Sequence, residues 1–398
     1  MRSLRSTVKR AFIELLSAFS RVAAGPEPAP SQILASSPRA ILLANLGHLG
    51  DIVISTAVLP VLKSAFPNAQ IGFIAGSWAA QLLQGHPLVD RVHFFDHWAA
   101  NRTVDSWIQR VRRHATTYRK AVRQIRQVRY DVAIDLRCFF PTTTALLYVA
   151  RIPVRIGYDR LGLGGLMTIP VRYVERMQHE QNYQIELIRR LVAESDALKK
   201  AKQVVPENRA RGERELRALF KSQGLDPVSY RVAHIGSGAQ EREWPQANWR
   251  QLAETLVAAG HTLVFSGHGA RENASIDVII NGLPHCVNAC DRLSWWGFLE
   301  LIRKAKILYG VESLSGHLAA TFDVPSVSIY SGIGGVERWR PVGEWAMTQT
   351  HPVTCAPCGL KHGCKEMPCV RKVTVDAILF SSESVIKERY IGSRADSY

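Results

Sequence analysis

The chain has 398 residues, of which 46% are hydrophobic and 21% charged, and it carries a formal net charge of +16. That composition excludes a disordered, collagen-like or low-complexity protein, and no apolar run is long enough for a membrane span. The length favours two domains, each able to bury its own core. The positive balance favours an anionic partner: a phosphorylated substrate, an anionic membrane surface or nucleic acid.

In chain order, the first 24 residues place Leu4, Val8, Phe12, Leu15, Phe19 and Val22 at helical spacing, with Arg2, Arg5, Lys9, Arg10 and Arg21 mostly off that stripe. This reads as a cationic amphipathic helix suited to peripheral membrane contact or to a partner subunit. Its charges interrupt any apolar h-region, so a secretory signal fits poorly. Residues 24–32, AGPEPAPSQ, read as a proline-rich linker. Residues 1–38 thus form an extension ahead of two domains, 39–205 and 206–398.

The segment ILLANLGHLGDIVISTAVLP, residues 41–60, predicts a buried strand, a turn with Gly47 and Gly50, and a helix over about 52–65. Asp51 stands where that helix begins. Backbone N–H groups and a positive dipole end face a ligand at such a place. Further β-rich runs follow at 69–75, 91–95, 130–136 and 154–158, alternating with helical patterns. Such alternation predicts a parallel sheet covered by helices. Between Arg102 and Arg129 nine cations (Arg102, Arg110, Arg112, Arg113, Arg119, Lys120, Arg123, Arg126, Arg129) accompany one acid, Asp105. That stretch reads either as a solvated helix face or as a face for an anionic ligand. The glycine-rich stretch 160–173 reads as a loop over a cleft, followed by a helix over 181–192.

A second alternating pattern begins at Arg231, with runs at 231–236, 261–267, 286–290, 305–311 and 325–332 and helices over 248–259 and 295–305. Three loops at strand ends carry polar groups. In 234–249, Gly236, Ser237 and Gly238 form a phosphate-cradle pattern and Arg242 offers a guanidinium fork. In 266–273, Glu272 lies near a helix start. In 309–325, Glu312, Ser313, Ser315, Gly316 and His317 cluster at a strand-to-helix turn. Taken singly, each loop reads as well as a set of helix caps and a core histidine. Cys355, Cys358, Cys364 and Cys369, four of the seven cysteines, sit close in sequence. Their spacing is compatible with a structural Zn or Fe site, and also with free or redox-labile thiols.

As an ordered set, residues 46–76, 234–253, 309–330, WRPVG at 339–343 and CAPC at 355–358 resemble glycosyltransferase family 9, the ADP-heptose:lipopolysaccharide heptosyltransferases and their relatives. The resemblance runs from about residue 40 to about residue 380. It implies a GT-B fold: two Rossmann-like, doubly wound domains facing a central cleft, the first binding acceptor and the second a nucleotide sugar. It also implies an inverting transfer of heptose from ADP-heptose to a lipopolysaccharide core or another bacterial surface glycan, with no catalytic metal, in the cytoplasm beside the inner membrane.

Carried over residue by residue, Asp51 falls at the catalytic base and Arg242 at a family lysine that meets the leaving diphosphate. Gly50, Ser237, Gly238, Glu272, Glu312, Ser313, Ser315, Gly316 and His317 fall at donor-binding positions, Glu272 on the ribose. Two departures stand out. Glu312-Ser313-Leu314 replaces the family's usual Asp-Thr-Gly, and Asn45 stands where many members carry arginine. A protein-modifying heptosyltransferase of the autotransporter type, with metal in the cysteine loop, is the alternative enzyme. A nucleic-acid-binding protein is the alternative outside enzymes, but the chain lacks the zinc-finger, RRM and KH signatures. LGHLGD also lacks the GxGxxG spacing of a dinucleotide dehydrogenase.

Overall fold

A computed structural model of the chain describes Ser20 and residues 37–100, 106–137, 141–160, 162–192, 196–225, 229–360 and 362–395. The amphipathic segment expected over residues 1–24 lies, Ser20 apart, outside the described residues. The chain divides into two compact units, residues 1–206 and 207–398.

The first unit is built on a six-stranded parallel sheet. In chain order its strands are β1 (Ala40–Ala44), β2 (Gln70–Ala75), β3 (Arg91–Phe94), β4 (Val132–Asp135), β5 (Val154–Asp159) and β6 (Ile169–Arg172). Their spatial order is β3-β2-β1-β4-β5-β6, with every neighbouring pair parallel. All five residues of β1 are buried. A central strand of a parallel sheet covered on both faces must be apolar throughout, and AILLA meets that demand.

The second unit repeats this architecture. Its strands are β7 (Tyr230–His234), β8 (Thr262–Ser266), β9 (Cys286–Asn288), β10 (Leu308–Val311), β11 (Ser326–Ile329) and β12 (Ala346–Gln349). Their order is β12-β11-β10-β7-β8-β9, again parallel throughout. Numbered from its own first strand, the second sheet has the same order as the first. In each, the order reverses beside the first strand, between β1 and β4 and between β7 and β10. Loops leaving the carboxyl ends of strands at such a reversal line the crevice where open α/β sheets bind ligands.

The core of the second unit includes Trp244, Trp249, Phe265 and Tyr309. Trp244 and Trp249 meet edge to face with centroids 5.1 Å apart. The Trp244 indole N–H donates to the Val373 carbonyl at 2.9 Å. These two rings anchor both ends of the turn at 245–248, and with it the loop that leaves β7.

Two expectations need correction, and one strand was not foreseen. The helix foreseen over 52–65 is two helices, Leu49–Thr56 and Val58–Ala65. Pro60 lies in the first turn of the second; it has no N–H for the Thr56 carbonyl, and its ring crowds that carbonyl, so a continuous helix would be broken there. The glycine-rich stretch at 160–173 is not solely a loop, because it contains β6, paired in register with β5 from Ile156↔Ile169 to Asp159↔Arg172. Strand β12 had no signal in the sequence: its four residues are half-buried at a sheet edge, where neither an apolar run nor a clean alternation is required. Among the described residues, no helix is long and apolar enough to cross a membrane.

Asp135 ends β4 with its side chain buried. Burial pushes its carboxyl up to about 7, against the opposing effects of the Arg137 N–H and the Thr144 hydroxyl. Unfolded, the group ionises near its ordinary value. Between about pH 4 and about pH 7 the folded chain therefore holds a proton that the unfolded chain has released. This contribution to stability is full below that window and is lost as pH rises through it, an effect on the order of a few kcal/mol. Asp135→Asn, which cannot ionise, is expected to raise the unfolding temperature more at about pH 8 than at about pH 5, as scanning calorimetry at the two values would show.

Candidate active site

The crevice of the first unit is shaped by the turn after β1. Gly47 lies so close to Asp51 that a Cβ on it would come within 2.6 Å of the Asp51 Cβ and run into the Arg137 guanidinium. Only glycine fits there. Buried Asn45 pins the turn from inside: its Oδ1 accepts the Gly47 N–H at 2.8 Å and its Nδ2 donates to Ser55 Oγ at 2.7 Å. The Trp78 indole N–H closes the other side on the Gly47 carbonyl at 2.9 Å.

Asp51 is the third residue of the helix Leu49–Thr56, with Gly50 just before it. Its Oδ2 accepts the backbone N–H of His48 at 2.7 Å, the reciprocal half of a helix cap. The same oxygen forms an ion pair with the Arg137 guanidinium, and both side chains are almost wholly enclosed. Burial pushes the Asp51 carboxyl up, but the charge and hydrogen bond of Arg137, helped by His48, outweigh it and hold the group below the usual carboxylate range. Asp51 is thus a carboxylate at neutral pH. Arg137 follows β4, the strand next to β1, and its backbone N–H donates to Asp135 Oδ1 at 3.3 Å.

In the second unit the loops after β7, β8 and β10 meet. The Arg242 Nη1 donates to Glu312 Oε1 at 2.9 Å. The other oxygen of Glu312 accepts from the Ser331 hydroxyl at 2.6 Å. The Ser237 hydroxyl donates to the Glu312 carbonyl at 3.2 Å, and the Ser237 N–H reaches Glu243 Oε1 at 3.3 Å. Gly236 is packed so tightly against the Glu272 carboxyl that any Cβ there would collide with it. Glu272 Oε2 accepts the His268 N–H at 2.8 Å. Burial, followed by the neighbouring Glu243, pushes the Glu272 carboxyl up despite His268 and Arg271. Arg271 grips Glu243 with both arms, at 2.7 and 2.5 Å.

Gly238 is exposed, and Glu312 and Ser313 are partly so. Ser315, Gly316 and His317 are buried in the helix Leu314–Thr321. Gly316 lets that helix approach the sheet, since a Cβ there would stand 2.7 Å from Ser328 Oγ. Ser313 and Ser315 share a hydroxyl contact of 3.0 Å. Within the second unit the structure thus joins Ser237, Arg242 and Glu312 directly, and Glu272 through Glu243 and Arg271. Arg137, Glu243, Arg271 and Ser331 are among the residues of these networks that escaped the sequence reading. Arg137 could have been noticed as a cation directly after a buried strand, and Glu243 as an acid inside the β7 loop, yet neither has a local pattern that names its partner.

Cys355, Cys358, Cys364 and Cys369, expected as a structural Zn or Fe site or as free thiols, all lie within the described residues. Among the described residues, no group of three or more His, Cys, Asp or Glu is placed to hold a metal ion. Cys369 is buried in the core of the second unit beside Val370. Cys364 Sγ accepts the Met367 N–H at 3.3 Å, while Cys355 is exposed and Cys358 half-buried. Cys369 lies in a four-residue helix, Pro368–Arg371, and Cys358 packs against the same core cluster.

The comparisons with known proteins agree with this architecture. The family model for glycosyltransferase family 9 (heptosyltransferase) matches residues 118–369. Lipopolysaccharide heptosyltransferase 1 of Pseudomonas aeruginosa is 26% identical over 336 residues, covering 82% of this chain and 88% of that protein. The protein of the same name from Salmonella typhimurium is 23% identical, covering 73% and 87%. Among solved structures, a family 9 glycosyl transferase from Veillonella parvula superposes with a TM-score of 0.72 at 16% identity, covering 88% of this chain and 98% of that one. The ADP-heptose lipopolysaccharide heptosyltransferase II of E. coli gives 0.66 at 18% identity, covering 88% and 99%. With two parallel sheets of one strand order and a family match across both units, the chain is a GT-B glycosyltransferase belonging to glycosyltransferase family 9.

Proposed function

We propose that the protein transfers heptose, with inversion, from ADP-heptose to a lipopolysaccharide core or a related surface glycan. The observation that carries this reading is the state of Asp51: a carboxylate at a glycine turn, held ionised by Arg137 and His48. In an inverting transfer one carboxylate takes the proton of the acceptor hydroxyl as that oxygen attacks the anomeric carbon. Asp51 is assigned that role, with Arg137 as the residue that aims and charges it.

The second unit is assigned the donor. Charge that develops on the departing diphosphate needs preorganised donors. Arg242, the Ser237 hydroxyl and the glycine-turn amides of 236–238 supply that chemistry, and Glu312 holds Arg242 in place at 2.9 Å. Glu272, beside Gly236, is assigned the ribose hydroxyls. The curated relatives named lipopolysaccharide heptosyltransferase 1 support the sugar and the acceptor class. A lipid-linked acceptor of that class would put the reaction at the cytoplasmic face of the inner membrane.

Calorimetric titration with ADP, UDP and GDP is expected to show selective binding of ADP; preference for UDP or GDP would replace the donor, and no nucleotide binding would remove the reading. Asp51→Asn, which keeps the shape of the side chain, is expected to abolish transfer while ADP still binds. Near-normal turnover in that variant would exclude Asp51 as base. Arg137→Gln removes the main effect holding Asp51 low, so the acidic limb of the pH–rate profile is expected to move to higher pH, where a purely structural role would lower activity equally at all pH values.

A further inference from the structure

One arginine ties the loop after β7 to the loop after β8. Arg271 lies in the first turn of the helix Gly269–Ile280 and donates through both arms to the Glu243 carboxylate, at 2.7 and 2.5 Å. Its Nη2 also reaches Glu272 Oε1 at 3.4 Å. Glu243 Oε1 takes the Ser237 N–H as well as that Nη2. A continuous chain of contacts thus runs from the glycine turn, through Glu243 and Arg271, to Glu272. It crosses between adjacent parallel strands and ends on a carboxyl packed against the backbone of Gly236 and Gly267.

The charges along this chain are two acids to one base. The side chains of Glu243 and Glu272 are 16% and 13% exposed, and a single guanidinium serves both. The other titratable groups that face Glu272 are His268, whose imidazole pairs with Asp291 at 2.6 Å, and Cys290 after β9. Burial and the like charge of Glu243 push the Glu272 carboxyl up, and Arg271 opposes them. Without Arg271, two enclosed carboxylates would confront each other, and they would retain a proton or move apart. Either change spoils Glu272 as an acceptor of hydroxyl protons. An ionised carboxylate has about four acceptor positions, so the His268 N–H and Arg271 do not exhaust it.

We propose that Arg271 and Glu243 are positioning residues for the nucleotide: Arg271 holds the Glu272 carboxylate in place to accept the ribose hydroxyls, and Glu243 fixes Arg271 and the Ser237 amide. The inference rests on the donor reading above. The parent protein's own titration judges that reading, and the variants judge the inference. Because ADP, UDP and GDP share the ribose, the variants are compared with whichever of the three the parent binds.

The experiment is calorimetric titration of the full chain with the nucleotide at about pH 8 and about pH 6. Arg271→Gln is expected to bind roughly ten-fold more weakly than the parent at about pH 8 and to lose still more at about pH 6. Glu243→Gln keeps the shape and removes the like charge, so its loss between the two pH values is expected to be smaller than the parent's. Titration of the nucleotide's own phosphates is common to all three proteins and cancels in the comparison. A purely structural role would not move the pH dependence in opposite directions. The inference is overturned if Arg271→Gln binds as the parent does, or if the two variants fail to shift the pH dependence in those opposite senses. If Arg271→Gln does not fold, the pH dependence of Glu243→Gln alone decides. A parent that binds no nucleoside diphosphate overturns the donor reading and this inference with it.

Discussion

The ion pair between Arg137 and Asp51 is the interaction on which the crevice of the first unit depends. It spans the reversal of strand order, joining the loop after β4 to the helix after β1. A buried carboxylate alone would take up a proton; a buried arginine alone would leave a charge without a partner. Together they keep the group charged in a nearly closed site. The second unit has its own arginine–carboxylate contact at the equivalent reversal, Arg242 with Glu312, between the loops after β7 and β10. Identical strand order places these two contacts at corresponding points of two unrelated stretches of sequence.

Small residues and fixed polar contacts make those pairs possible. Gly47 and Gly236 each stand where a Cβ would strike a carboxylate side chain, so the backbone passes close to Asp51 in one unit and to Glu272 in the other. Asn45 is not a cation for the Asp51 carboxylate but a fixed point of the turn. It is committed to Gly47, Ser55 and the Asp51 carbonyl, and the cation arrives instead from the end of the neighbouring strand.

Much of this was legible in the sequence because its signals are local. Apolar runs such as AILLA predict buried parallel strands, and the glycines around Asp51 predict a turn into a helix. What escaped depended on distance along the chain or on an edge position. Arg137 lies far from Asp51 in sequence and meets it only because β4 pairs with β1. Strands β6 and β12 are short and lie at sheet edges, so they carry no continuous apolar pattern. The cysteines carry a signal of spacing alone, and spacing does not say which sulfurs share a place: Cys369 lies in the apolar core, Cys358 packs against the same cluster and Cys355 and Cys364 are exposed.

Each unit contains both members of its own anchoring pair, with donor and acceptor atoms drawn from loops of a single sheet. Substitutions that retune one set of loops therefore leave the internal scaffolding of the other intact. A protein organised in this way can diversify by halves, the loops of one sheet changing while those of the other are kept. The segment Glu312-Ser313-Leu314, in the loop after β10, belongs to the scaffolding of the second unit alone.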